Sequence, residues 1–238
     1  MNNQVQVERI EEYRFAGVSE SGHRLLFHTI GDHEVEVQGA EGDKPQGRLV
    51  LPSAVECDGC IYTVVVIGKQ AFLQCDGLAE IIIPDTVNRI EAEAFRESGL
   101  TAVQAAGVVG IDYSAFYECK QLASVELSNL EWMGISAFSR CGQLEYFPLP
   151  DTLQEIPNWA FDFAAFTEVR IPNSVRRIGD QAFFNNEKLA KVIIPSSVVD
   201  ICTEAFVGTA IRSVVIPNPD AGVRYNAFPE GCEVIHVK

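Results

Sequence analysis

A chain of 238 residues, 47% of them apolar, is long enough to bury one sizeable core and too hydrophobic to be disordered. Its 33 acidic against 18 basic side chains give a formal charge of −15, which repels phosphate backbones and makes nucleic acid and anionic lipid poor partners. No apolar run approaches the length of a bilayer span, and seven cysteines, an odd number at modest density, do not make a disulfide framework.

The chain begins MNNQVQVERIEEYRF, with neither a basic n-region nor an apolar h-region, so this stretch does not read as an export signal. A leader trimmed earlier and a cytoplasmic location both stay open. Next, HRLLFHTIGDHEVEVQG reads as two alternating strands around Gly31-Asp32. Residues 1–46 are therefore expected to form an N-terminal β cap built on a hairpin. In Cys57-Asp58-Gly59-Cys60 the Asp-Gly centre marks a two-residue hairpin turn, with the cysteines facing each other across it. A zinc site would need a second pair, which the other cysteines do not supply at suitable spacing.

From residue 47 to 238 one phrase recurs. The pair Ala-Phe returns with Phe at 72, 95, 116, 138, 161, 183, 206 and 228, at intervals of 21 to 23 residues. Four residues before each Ala stands an apolar residue such as Ile67, Ile90 or Ile178, and after a short loop comes L-x-x-V-x-I-P. That last section is β-branched and alternating, which predicts one short strand per coil of about 22 residues, closed by Pro84, Pro172, Pro195 or Pro217. A single such unit cannot offset the conformational entropy it loses; stacked units share apolar surface and strand hydrogen bonds. The second repeat, LTAVQAAGVVG, lacks the strand proline and runs short, which predicts a local bend there.

The runs IGKQAFLQCDGLAEIIIPDTV and IGDQAFFNNEKLAKVIIPSSV, with the lead-in LPSAVECDGCIYTVVVIGKQAF, resemble the BspA-like leucine-rich repeat family over residues 47–238. That resemblance implies a β-rich solenoid, a right-handed leucine-rich-repeat stack. It also implies a surface or secreted protein that binds host, matrix or neighbouring-cell proteins, without a catalytic centre or a cofactor.

Nothing in the residues themselves argues for chemistry. His23, His28 and His33 fall on alternate faces of extended strands, an unsuitable arrangement for one metal. Cys75, Cys119 and Cys141 share a column with Ser98, Ala164, Asn186 and Thr209, which reads as a tight internal corner holding inert thiols. No nucleophile elbow, phosphate loop or dinucleotide fingerprint is present. The outward strand columns are more informative. They carry Glu126, Tyr146, Glu168, Arg170 and Lys191 at the middle of a continuous strip of seven strands with apolar ends; mixed charge around an aromatic suits protein recognition. Trp159 and Phe163 occupy columns that are otherwise polar or glycine, and Trp132 stands where Arg89, Glu155 and Arg177 stand. These three form a possible second contact patch, for another copy or for a glycan. The primary expectation is a non-catalytic protein-binding module; the alternatives are a glycan-binding surface protein and a hydrolase using Glu126 and Glu168.

Overall fold

The computed structural model describes residues 4–237, which are strand-rich and, among the described residues, contain no helix. Each Ala-Phe repeat hands its backbone to the next at three places, and the Ala-Phe corner is the most regular. There, residues two before and two after the Phe have left-handed backbones: Gln70 and Gln74 at φ 58° and 53°, Ser136 and Arg140 at 58° and 60°, Trp159 and Phe163 at 54°. Each is the third residue of a turn closed by an i→i+3 bond, such as Ala71 N–H to Gly68 O and Cys75 N–H to Phe72 O, the geometry of a type II turn. A left-handed non-glycine residue costs about 1 kcal/mol. The alternation is offset by what it permits, because every second N–H then points the same way along the stack. Gln70, Phe72 and Gln74 donate to Ala92, Ala94 and Arg96 at 2.7–3.1 Å, and Ser136, Phe138 and Arg140 donate to Asn158, Ala160 and Asp162 at 2.8–3.1 Å.

Inside that corner the eight phenylalanines form one column. Neighbouring rings from Phe72 through Phe228 lie 5.0–5.6 Å apart at interplanar angles of 1–13°, the offset-stacked arrangement that aromatic quadrupoles favour. Seven of the eight are fully buried, and Phe228, in the last repeat, is 8% exposed. Outside the corner, Gln70 donates to Glu93 and Gln74 to Glu97 at 2.7 and 3.0 Å, and Gln181 donates to Glu204. At the first repeat Lys44 Nζ donates to the carbonyls of Leu73 and Gln74 at 3.2 and 2.7 Å.

Two strand sets make the other hand-overs, where the sequence predicts one. The expected strand is present as Leu78–Ile82, Ala102–Gln104, Ser124–Glu126, Glu168–Arg170, Lys191–Ile193 and Ser213–Ile216. A second, two-residue strand ends on the apolar residue ahead of each Ala-Phe after the first: Arg89–Ile90, Gly110–Ile111, Trp132–Met133, Glu155–Ile156, Arg177–Ile178, Asp200–Ile201 and Gly222–Val223. Two residues are too few to show a period, so this strand leaves no signature in the sequence.

Neither set forms one continuous ladder. Gly47–Val50 leads a parallel ladder that ends at Ser124–Glu126, and the second set stops at Trp132–Met133 and resumes at Glu155–Ile156. These two breaks fall at one junction, and two prolines explain them; the first set breaks again between Lys191–Ile193 and Ser213–Ile216. Pro148 stands at the position of Gln104 and Glu126, and Pro157 at that of Asp112 and Gly134, whose N–H groups bond back to Ile90 and Ile111. Proline has no N–H to give. The bend expected at the second repeat is not where the ladders stop; they pass through Ala102–Gln104 and Gly110–Ile111 in register.

Ahead of the repeats, Glu8–Glu11, Arg14–Val18, Arg24–Gly31 and Glu34–Ala40 form an antiparallel meander, the last pairing in parallel with Cys60–Ile67. The hairpin at Gly31-Asp32 is present. So is the turn at Asp58-Gly59, both left-handed (φ 53° and 77°), with Cys57 opposite Cys60.

The ring column predicts a graded response to truncation. Phe116→Ala, with stacked neighbours on both sides, is expected to destabilise the chain by about 3–5 kcal/mol. Tyr146→Ala, at an exposed position, should stay within about 0.5 kcal/mol. Urea unfolding of the two variants checks the difference.

Candidate functional site

The strand face places the five expected contact residues unevenly. Glu168 and Lys191 are register partners, and Lys191 Nζ lies 2.7 Å from Glu168 Oε1. Arg170 stands opposite Ile193 on the same pair of strands, exposed and, among the described residues, without an ion pair. Glu126 is exposed at the end of the preceding ladder. Between them Tyr146 is 69% exposed, because its neighbour Phe147 turns inward and packs 5.1 Å from both Phe138 and Phe161. The continuous strip of seven strands expected from the sequence is therefore divided into three ladders, with Tyr146-Phe147-Pro148 spanning the first gap without strand pairing. Glu145, next to the tyrosine in sequence, pairs with Lys188 at 3.5 Å.

The three outlying aromatics are exposed as their columns suggest, at 39–42%. Each rests on a different neighbour. Trp132 lies over Gly110 of the preceding repeat, where a Cβ would meet the indole at 2.2 Å, and against the Arg89 guanidinium at 5.7 Å. Arg89 is in turn held by Asp112 at 2.7 Å. Trp159 donates its indole N–H to Gln181 of the next repeat, and Phe163 sits between Arg140 (5.1 Å) and Phe184 (5.8 Å). Trp132 belongs to the two-residue strands, whereas Trp159 and Phe163 belong to the left-handed positions of the Ala-Phe corner.

The cysteine column does more than fill a corner. Cys119 Sγ donates to Phe95 O (3.0 Å), Cys141 Sγ to Phe116 O (3.2 Å) and Asn186 Nδ2 to Phe161 O (2.7 Å), while Thr209 bonds Phe206 O of its own repeat. In these four the shared property is a small donor aimed at a Phe carbonyl, while the Ser98 hydroxyl lies 3.4 Å from Cys119 Sγ. Burial pushes the Cys119 thiol up to about 11 and that of Cys141 well above the ordinary range, so both stay protonated and unreactive. The histidines have separate surroundings: His23 bonds Ser21 and the Gln46 backbone, His28 lies 3.4 Å from Glu36, and His33 bonds Ile61 O. A hollow of about 580 Å³ is an open polar groove beside the Ala-Phe corner between Lys44, Glu97, Glu118 and Lys120.

Asp162 was not visible as special in the sequence, where its column reads Leu73, Arg96, Tyr117, Ser139, Phe184 and Val207. Its carboxylate is buried at the junction where both ladders break, and Oδ1 has no hydrogen-bond partner. Burial raises its pKa; the Ser139 hydroxyl and the Arg140 charge pull it back only in part.

Against known proteins, residues 61–162 and 109–235 match the model of the BspA type leucine-rich repeat region, in six copies. The chain belongs to that family. No curated protein matches it. Among solved structures it is similar to a leucine-rich repeat protein from Bacteroides ovatus, 28% identical with a TM-score of 0.68 over 90% of this chain and 51% of the other, so it spans about half that relative's length. The pneumococcal vaccine antigen PcpA shares the fold at 16% identity and a TM-score of 0.61, over 91% of this chain and 70% of that one. A leucine-rich repeat protein of T. pallidum does so at 23% and 0.53, over 96% and 86%. Leucine-rich repeat modules usually mediate protein interactions, and the BspA-type family is generally non-catalytic. Among the described residues no helix is long and apolar enough to cross a membrane.

Asp162 supplies a pH test. Its folded pKa lies above the unfolded value, so its carboxyl contributes stability that is gained as pH falls through the raised value and lost as pH rises. Asp162→Asn is expected to raise Tm at neutral pH, with the difference from wild type shrinking in mildly acidic buffer. Thermal unfolding across that range checks the sign.

Proposed function

We propose that this chain is a non-catalytic protein-binding module whose contact surface is the exposed strand face around Tyr146. In this reading residues 47–238 form a right-handed solenoid with coils of about 22 residues, and residues 1–46 cap its first coil. The observation that carries the proposal is the Tyr146 ring, 69% exposed in a gap of the strand face, with Arg170 lacking an ion pair among the described residues and the Glu168–Lys191 pair beside the gap. An exposed aromatic flanked by arginine and mixed charge is the composition of an interface centre. Glu126 completes the acidic side of the patch.

Surface or secreted adhesion, with a host, matrix or neighbouring-cell protein as partner, is the role that family membership favours. A glycan platform on Trp132, Trp159 and Phe163 has less support, since the rings lean on separate neighbours instead of sharing one plane. A hydrolase using Glu126 and Glu168 has less still, because Lys191 occupies the Glu168 carboxylate on an open face.

Pull-down from matrix or cell extracts with wild type and a Tyr146→Ala/Arg170→Glu variant tests the face. Recovery of the partner should drop at least roughly tenfold, the loss typical of removing interface anchors. Equal recovery by a folded variant would reject this surface.

A further inference from the structure

The break between Trp132–Met133 and Glu155–Ile156 opens a notch of about 400 Å³, with Glu131, Trp132 and Ile135 on one wall and Gln154, Glu155 and Pro157 on the other. Elsewhere in this strand set the carbonyl after the strand step is occupied: Ile90 O by Asp112, Ile111 O by Gly134, Ile156 O by Gly179, Ile178 O by Cys202. The matching donor for Met133 O would be residue 157, a proline. The carbonyl one step earlier follows the same rule, since Val109 O accepts from Glu131 and Arg176 O from Val199. Among the described residues no main-chain N–H crosses the gap to Glu131 O or Met133 O.

The notch is thus dominated by acceptors. To the two carbonyls it adds the Glu131 carboxylate, which forms no ion pair among the described residues, and the Gln154 side-chain oxygen, one of whose two amide N–H groups is held by Thr152 O at 3.1 Å. Glu155 is engaged by Arg177. Beside these acceptors stand apolar surfaces, Trp132 at 42% and Ile135 at 48% exposure. A complementary group is flat, rich in N–H donors, without acceptors, cationic, and carried on an aliphatic stem. Guanidinium has those properties: five donors in a fork, a preference for aromatic faces, and a stem that packs on apolar side chains. The chain's charge of −15 draws such a group in.

We propose that this notch receives an arginine side chain from a partner polypeptide. It belongs to the two-residue strand set and not to the strand face of Tyr146, so it stands independently of the function proposed above.

The two tryptophans of the chain give two indole N–H resonances in ¹⁵N-labelled protein, assigned with Trp159→Phe. Acetyl-arginine amide should shift the Trp132 signal saturably, with half-saturation on the order of millimolar, and leave Trp159 in place. The neutral isostere acetyl-citrulline amide should have little effect. Glu131→Gln should weaken binding roughly tenfold. Pro157→Gly, which restores the missing N–H and the residue type found at 134 and 179, should close the gap and abolish the response with the thermal transition intact. An absent or non-saturable shift, an equal response to citrulline, binding by Pro157→Gly as tight as wild type, or a response to methyl glucoside in place of arginine would each overturn the assignment.

Discussion

Alternating left-handed residues at the Ala-Phe corner set the terms for everything else in this protein. Because Gln70 and Gln74, and their counterparts in later repeats, take positive φ, three N–H groups in each of the first six repeats, and that of Phe206 in the seventh, point along the stack while the intervening ones close turns. The phenylalanine between them is then carried inward at a fixed height, and its ring meets the next at about one strand spacing. The ring column is unbroken from Phe72 to Phe228. It spans the junction from Phe138 to Phe161, where both strand sets lose their pairing. The strands can therefore be interrupted by proline without the stack coming apart, and the interruptions are where the exposed Tyr146 and the notch beside Trp132 lie.

Much of the architecture was legible in the sequence because it depends on side chains that must be apolar. The phenylalanine column, the L-x-x-V-x-I strand and the Asp58-Gly59 turn each rest on a residue type that few others can replace. What stayed hidden depends on backbone. The left-handed positions hold Gln, Glu, Ser, Arg, Trp, Phe and Asn, since the neighbouring repeat's hydrogen bonds, and not an intrinsic preference, impose the conformation. The two-residue strands are too short to carry a pattern. The break at one junction follows from Pro148 and Pro157, each unremarkable until its register is known. For the candidate site the columns gave correct exposure for Tyr146, Trp132, Trp159 and Phe163, but exposure does not say which neighbours a side chain leans on.

Side chains outside the corner follow the backbone's logic. Residues of one column meet across repeats, so Gln74 finds Glu97 and Gln181 finds Glu204. Hydrogen bonding from Gln74 holds Glu97 below the usual carboxylate range, keeping it ionised beside Arg96. A strongly acidic chain can in this way line up carboxylates along a ridge and give many of them a donor from an adjacent rung. Glu126 and Glu131 stand apart from that scheme, and both border the surfaces proposed for recognition.

The shared direction of the corner's hydrogen bonds also gives the molecule a polarity. From Phe72 to Phe228 amides face the later repeat and carbonyls the earlier one, so their dipoles add as they do in an α-helix. The first rung is the electronegative pole. Lys44 lies there, its ammonium against the Leu73 and Gln74 carbonyls, as a cation sits at a helix C-terminus. The last rung, around Phe206 and Phe228, is the opposite pole, so the backbone lends the two ends of this stack partial charges of opposite sign, on top of those of their side chains.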